Sequence, residues 1–343
     1  MSINKKRNQN MKRLSTTIVL WTLLLVTVAA QQVTFRFSDG IQDSPLKERM
    51  QQQMTLLLSE INRAAAAERP LKLDGINMTP QARKSLENLW SGTSSFRCEY
   101  PENARPCLMD ATGYEVRGIA VTMLNRQMRG ERLREVCINL SKEGVITSVH
   151  LALKNNMYLD LLANSRDVTD MRRKLEIMNF VDKFRSYYDE KDLDALQQIY
   201  SDDALIITGR VITHKSYAGD KPTLRKEVVY RRQNKEEYLN NLKKVFDSNA
   251  FIHLTFDDVK IYGHKSKTNY YGVSLRQNWR STNSRTWSNV NYEDDGYLFL
   301  LWEFPDGDDA PPVVHVRTWQ PEWVDKQRLS SDSVFNINDF LIP

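Results

Sequence analysis

The stretch "DGYLFLLWEF", residues 295–304, is apolar on both parities, with Tyr297, Phe299 and Leu301 on one and Leu298, Leu300, Trp302 and Phe304 on the other. Successive side chains of a strand point to opposite faces, so such a strand is stable only where both faces of its sheet are covered. A sheet open to water on one side is excluded, and two covering layers are required. Sheet partners are at hand in "AFIHLTFDDVKIYG", "TNYYGVSLRQNWRS" and "PPVVHVRTWQ".

Helices precede the strands, twice. "SPLKERMQQQMTLLLSEINRAAAAER" predicts a helix with Ser44 as N-cap, Pro45 at its first position, and Met50, Met54, Leu57, Leu58 and Ile61 along one face. Thr79 and Pro80 open a second one, "TPQARKSLENLW". The strands "SFRCEY" and "CLMDATGYEVRGIAVTM" follow, then a hairpin of "REVCINL" and "VITSVHLAL" around "SKEG". The order then repeats. Leu175, Met178, Phe180, Val181 and Phe184 stripe a long helix, and a shorter one carries Leu193, Leu196, Ile199 and Tyr200. After a polar stretch over 209–233, Asn234 with Glu237 starts "KEEYLNNLKKVFD", and four strands complete the unit. Helices followed by meandering strands indicate an α+β class in two units, joined near 152–168.

Residues 1–30 combine a basic start (Lys5, Lys6, Arg7, Lys12, Arg13), the run "TTIVLWTLLLVTV" and small residues at Val28, Ala29 and Ala30. This predicts a signal peptide cleaved before Gln31, the run being short for a bilayer span of ~20 residues. An exported protein, periplasmic or envelope-associated and without a stable membrane span, is the expectation. The leader holds five of the 48 Lys and Arg and no acid, so the remainder balances at 43 against 43. Net basicity is therefore a property of the leader and does not indicate nucleic acid.

The run "FVDKFRSYYDEKDLDALQQIYSDDALIITG" resembles the opening of the nuclear transport factor 2-like, or SnoaL-like, superfamily. "VSLRQNWRS", "DGYLFLLWEF" and "VHVRTWQP" are similar to its later strands, particularly in exported proteins of Bacteroidetes-type bacteria. The resemblance covers about 170–325, with "GYEVRGIAV" and "VCINLSKEGVITSVHLAL" marking a divergent copy upstream. It implies two cone-shaped domains, 31–160 and 166–325, each with helices packed on a curved, mostly antiparallel sheet, and a tail over 326–343. In a cone one sheet face packs on the domain's own helices. The second face of "DGYLFLLWEF" then needs another sheet, from the tandem partner as a pseudo-dimer or from a homodimer mate.

No catalytic motif accompanies the resemblance, and the superfamily hosts enzymes and binders alike. Arg276, His315, Arg317 and Trp319 form basic-aromatic strips on two strands. On the concave face these would read an anionic or carbonyl-bearing ligand. On the outer face they would be a solvated or interdomain surface, paired with acids of 293–295. An isomerase, cyclase or hydratase would need a poised acid or base, for which His253, Tyr271 and His315 are the weak candidates by strand position. The turn between Cys98 and Cys107 permits a disulfide that spacing alone does not fix. Cys137 reads as a buried hydrophobe, no His/Cys spacing suits a metal, and no cofactor is implied. The expected role is a non-catalytic scaffold or binding module for an envelope protein partner or a small ligand.

Overall fold

A long helix, α1 (Ser44–Ala66), forms the axis of the amino-terminal unit. Asp43 caps it by accepting from the Leu46 N–H at 3.0 Å, so Ser44, the expected cap, falls in the first turn. Its buried face carries polar residues for a reason. Gln51, Thr55 and Ser59, one helical turn apart, accept the N–H groups of Phe37 (2.8 Å), Phe35 (3.1 Å) and Val33 (3.0 Å). They satisfy the edge of a strand the sequence pattern did not reveal, β1 (Thr34–Asp39). The computed structural model describes residues 32–93, 95–109, 113–124, 132–152, 170–218, 221–283, 292–305, 311–330, 333–340 and 342. The leader, the join near 152–168 apart from Ala152, and the centre of the "PDGDDA" loop lie outside them.

Helix α2 (Pro80–Asn88), capped by Thr79 as expected, follows. Then come β2 (Phe96–Cys98), β3 (Glu102–Met109), β4 (Gly113–Met123), β5 (Leu133–Ser141) and β6 (Ile146–Leu151). The sheet runs β1-β3-β4-β5-β6, with β1 parallel to β3 and β2 beside β4. Val116, Ile119, Val121 and Ile138 pack with Met50, Met54 and Leu57 of α1.

The disulfide allowed between Cys98 and Cys107 does not form, and all three cysteines are free and buried. Cys98 lies opposite Val121 and Cys107 opposite Val116. Five positions along β4 are roughly 15 Å, far beyond what a disulfide spans.

The carboxy-terminal unit sets α3 (Met171–Asp189), α4 (Leu193–Ile199) and α5 (Lys235–Ser248) on one face of a six-stranded sheet, in the order β8-β7-β12-β11-β10-β9. The strands are β7 (Tyr200–Ala218), β8 (Lys221–Gln233), β9 (Asn249–Gly263), β10 (Tyr270–Asn283), β11 (Tyr292–Glu303) and β12 (Val313–Pro321). The polar stretch 209–233 is a strand hairpin, with β7 and β8 in register from Ile206↔Gln233 to Ala218↔Lys221. Past Thr208, β7 pairs only with β8, and this two-stranded arm has no core face to mark it in the sequence.

Both faces of β11 are covered, as its composition demands. Leu298, Leu300 and Trp302 pack on Ile177, Met178, Val181 and Phe184. The second cover differs from expectation. Phe299 and Leu301, with Tyr270 and Val316, lie under Ile337, flanked by Phe335, Phe340 and Ile342 of the chain's own tail. The Phe299 and Phe340 rings stack at 5.6 Å and 8°. A Cβ on Gly272 would come within 2.9 Å of Phe299 and 3.1 Å of Ile337, so the tail's approach requires that glycine.

The two units do not meet back to back through their sheets. The polar face of β4–β6 lies on α3 instead, with Arg117 bonded to Asp182 (2.6 Å) and Glu115 (2.9 Å), and Arg185 to the Leu151 carbonyl. Ser85 donates to Asp192 at 2.8 Å, Gln81 also bonds Asp192, and Lys84 pairs with Asp194 at 2.9 Å. Among the described residues, no helix is long and apolar enough to cross a membrane.

Candidate functional site

In β12, Val314 lies opposite Trp302 of β11, but the next pair is Val316 with Leu301, followed by Arg317 with Leu300 and Trp319 with Leu298. His315 is the extra residue of a β-bulge, and a bulge exchanges the two parities beyond it. Val314 therefore joins the helix-side core and Val316 the tail-side cluster, while Arg317 and Trp319 return to the helix side. The strip that alternation assigned to one face is split between two.

Arg317 and Trp319 line a cavity of about 470 Å³ between the sheet and α5, together with Tyr238, Gln277, Trp279 and Asp294. That volume is within the usual range for a small-molecule site. Arg317 is only 5% exposed, its guanidinium 5.0 Å from the Tyr238 ring centroid. No carboxylate pairs with it among the described residues, and its Nε and Nη1 have no hydrogen-bond partner there. Tyr188, Tyr200 and Tyr238 form a hydroxyl cluster beside it, with oxygens 2.7 and 3.1 Å apart. Burial works against the guanidinium's charge, but these phenol oxygens outweigh it and hold its pKa above the ordinary arginine value. Burial likewise pushes the Tyr200 and Tyr238 hydroxyls well above the ordinary range, so they remain protonated.

The Trp319 indole packs close over Gly296 of β11, where only glycine leaves room. A Cβ there would meet its indole at 2.6 Å. Gln277 lies across from Gly296 on β10, buried, with Oε1 lacking a partner among the described residues. Asp294, nearer the rim, accepts from the Tyr292 hydroxyl at 2.6 Å, and burial lifts its carboxyl above the ordinary aspartate value. The cavity is thus lined by a buried cation, aromatic walls, a buried amide and a partly desolvated acid.

The other expected site residues lie elsewhere. Arg276 is on the tail side, bonded to the buried Glu322 at 2.8 Å and 3.6 Å from Asp295, one of the acids of 293–295. His315 holds Glu303 at 2.7 Å and stands 5.5 Å from the Tyr270 ring. His253 is 3.2 Å from Asp189, whose other oxygen accepts the Leu254 N–H at 2.7 Å, tying the end of α3 to edge strand β9. Tyr271 packs edge-on against Phe304 with Arg173 above its ring, and burial raises its hydroxyl pKa. None of the three titratable candidates lines the cavity. Gln277 carried a signal in the sequence, as the lone polar residue on the parity of Val273, Leu275 and Trp279. Tyr238, on a helix, and Asp294, within an acidic turn-like run, gave none.

A larger open groove, about 1150 Å³, lies in the amino-terminal unit beside Arg69, Trp90 and Arg132. None of its lining residues has a buried polar atom without a partner among the described residues. No cluster of His, Cys, Asp and Glu suited to a metal occurs among the described residues.

No protein-family model and no curated protein matches the chain. Solved structures similar to it include a nuclear transport factor 2-like protein from Cytophaga hutchinsonii, 13% identical, covering 45% of this chain and 99% of that one at a TM-score of 0.31. A superfamily member from Salmonella enterica serovar Typhimurium is 10% identical, with 43% and 89% covered and a TM-score of 0.32. Aln2 from a Streptomyces species is 12% identical, with 45% and 94% covered and a TM-score of 0.32. The first two of these neighbours are described as nuclear transport factor 2-like. Each matches less than half of this chain, and the α+β architecture rests on the topology given above.

Proposed function

We propose that the chain is an exported, non-catalytic binding module whose carboxy-terminal cone holds a small anionic or carbonyl-bearing ligand. Arg317 carries the reading. A buried charge is costly unless paired, and Arg317, with no carboxylate partner among the described residues, lines a cavity walled by Trp279, Trp319 and Tyr238. A planar carboxylate matches the guanidinium fork and the aromatic walls together. Calorimetric titration of the full chain with cinnamate tests this. Arg317→Met should lose at least about tenfold in affinity, the scale of one charge-assisted contact, whereas Arg276→Ala should bind as wild type. Unchanged binding by Arg317→Met contradicts the reading. For export, protein recovered from bacterial envelope should begin at Gln31, and an intact Met1 start would contradict it.

Asp294 favours a second reading, a SnoaL-like isomerase, cyclase or hydratase on a small carbonyl compound. A carboxyl with a raised pKa beside an apolar cavity suits proton transfer. That reading requires turnover that Asp294→Asn abolishes while binding persists.

A further inference from the structure

Beyond Thr208 the β7–β8 arm leaves the sheet, and its charge is unlike that of the rest of the chain. Residues 209–233 hold seven Lys and Arg against two acids, whereas the remainder after the leader holds 36 against 41. From Arg210 to Ala218 the arm extends for roughly 30 Å of strand. Arg210, Lys215, Arg225, Lys226, Arg231 and Arg232 are exposed, and none of them pairs with a carboxylate among the described residues. Strand register sorts them by face, because residues opposite each other in an antiparallel ladder share one. Val211↔Val228, Thr213↔Lys226 and Lys215↔Leu224 lie on the tail side with Tyr230, and Arg232, opposite Ile207, stands at the root of that side. Glu227, opposite Ile212, is on the other face, where His214 holds it at 2.9 Å. The tail-side face of the described arm therefore carries cations and apolar groups without an acid. Leu224 is 53% exposed there. The root is fixed, with the Tyr230 ring 5.6 Å from Phe335 and its hydroxyl accepting from the Gln320 amide at 2.9 Å.

Independently of the cone, whose cavity none of these residues lines, we infer that the tail-side face of the arm docks on an anionic lipid bilayer. Lys215, Lys226 and Arg232, spread along a straight ribbon, match a plane of negative headgroups, where each cation is worth about fivefold in affinity. Leu224, Val211 and Val228 reach the apolar boundary beneath those headgroups. A nucleic acid would match the charge but leave these side chains in water. Two arms with the same excess of cations repel, so a second copy is a poor partner for this edge.

Flotation with lipid vesicles tests this on the chain starting at Gln31, since every residue of the three cores lies beyond that point. Vesicles of phosphatidylcholine with about 30% phosphatidylglycerol should capture it at about 0.1 M salt and release it at about 1 M, where screening is strong, and pure phosphatidylcholine should not capture it. Replacing Lys215, Lys226 and Arg232 together by Gln should weaken capture about a hundredfold. Removing the same charge from the amino-terminal unit, at the exposed Arg49, Arg97 and Lys142, should change it by less than about threefold. Leu224→Ser should cost about tenfold at unchanged net charge. If the triple variant melts early, Lys215→Gln alone should still cost about fivefold. Equal capture by neutral vesicles, undiminished capture of the arm variants, or tighter binding to duplex DNA than to anionic vesicles would overturn the inference.

Discussion

Two residues apart in β12, His315 and Arg317 face opposite layers because one residue of that strand has no partner in β11. Alternation read from sequence assumes an unbroken ladder, so it paired Arg317 correctly with Trp319 and wrongly with His315. A bulge leaves no composition signal when the extra residue is an ordinary strand former. The cost of keeping Arg317 buried without a counter-charge is itself measurable. Tyr188, Tyr200 and Tyr238 offset that burial, so Arg317→Met should change the urea resistance of the ligand-free chain by no more than about 2 kcal/mol. A loss above about 2 kcal/mol would show that Arg317 is a structural brace. Glu60 makes the opposite case. Burial alone would raise its pKa, but hydrogen bonds from Arg69 (2.6 Å) and the Lys72 N–H (2.7 Å) outweigh this and hold it below the ordinary value. The stability it contributes is full above its unfolded value near 4.5 and is lost as pH falls through the lower folded value. The melting temperature of Glu60→Gln should therefore vary less with acidification than that of wild type, as followed by circular dichroism.

Helix ends were the most legible elements. Thr79 and Asn234 each accept the expected first-turn N–H, at 3.1 and 2.9 Å, because capping is local chemistry. Non-local elements were less so. Strand β1 is short, and the residues that receive it, Gln51, Thr55 and Ser59, read in sequence as polar interruptions of a helix face. The double cover of β11 was legible, but its source was not, since the tail has neither strand nor helix periodicity. Removing residues 333–343 should expose Phe299, Leu301 and Val316 and drive self-association, measured by size exclusion with light scattering. A monomer with an unchanged melting temperature would contradict the covering role. The strand register makes a separate prediction about the cysteines: thiol titration of the denatured, unreduced chain should count three free groups.

At the scale of the whole molecule, the α+β class was legible from element order, whereas the way the two sheet-bearing units join was not, because it depends on polar residues that a strand reading assigns to solvent. Glu115, Arg117 and Asn139 sit on alternate positions that would suit water, yet they are closed over by α3. Asp182 is fully buried under Arg117. Asp182→Ala removes one of the two carboxylates bonded to Arg117 and should cost on the order of 2 kcal/mol in chemical denaturation. Glu190, in the same joint, is raised well above its ordinary value, chiefly by burial and further by Asp192 and Asp189. Its unfolded form ionises first as pH rises past about 4.5, so the folded chain loses stability from there up to the folded value. Glu190→Gln should remove that slope and be more stable at neutral pH. These features make the joint a fixed support behind α3. The most direct test is a crystal structure of the chain grown with cinnamate. The predicted result is a carboxylate against the Arg317 guanidinium with the ring between Trp279 and Trp319. A ligand bound elsewhere, or an Arg317 already engaged by a carboxylate of the protein, would contradict the account.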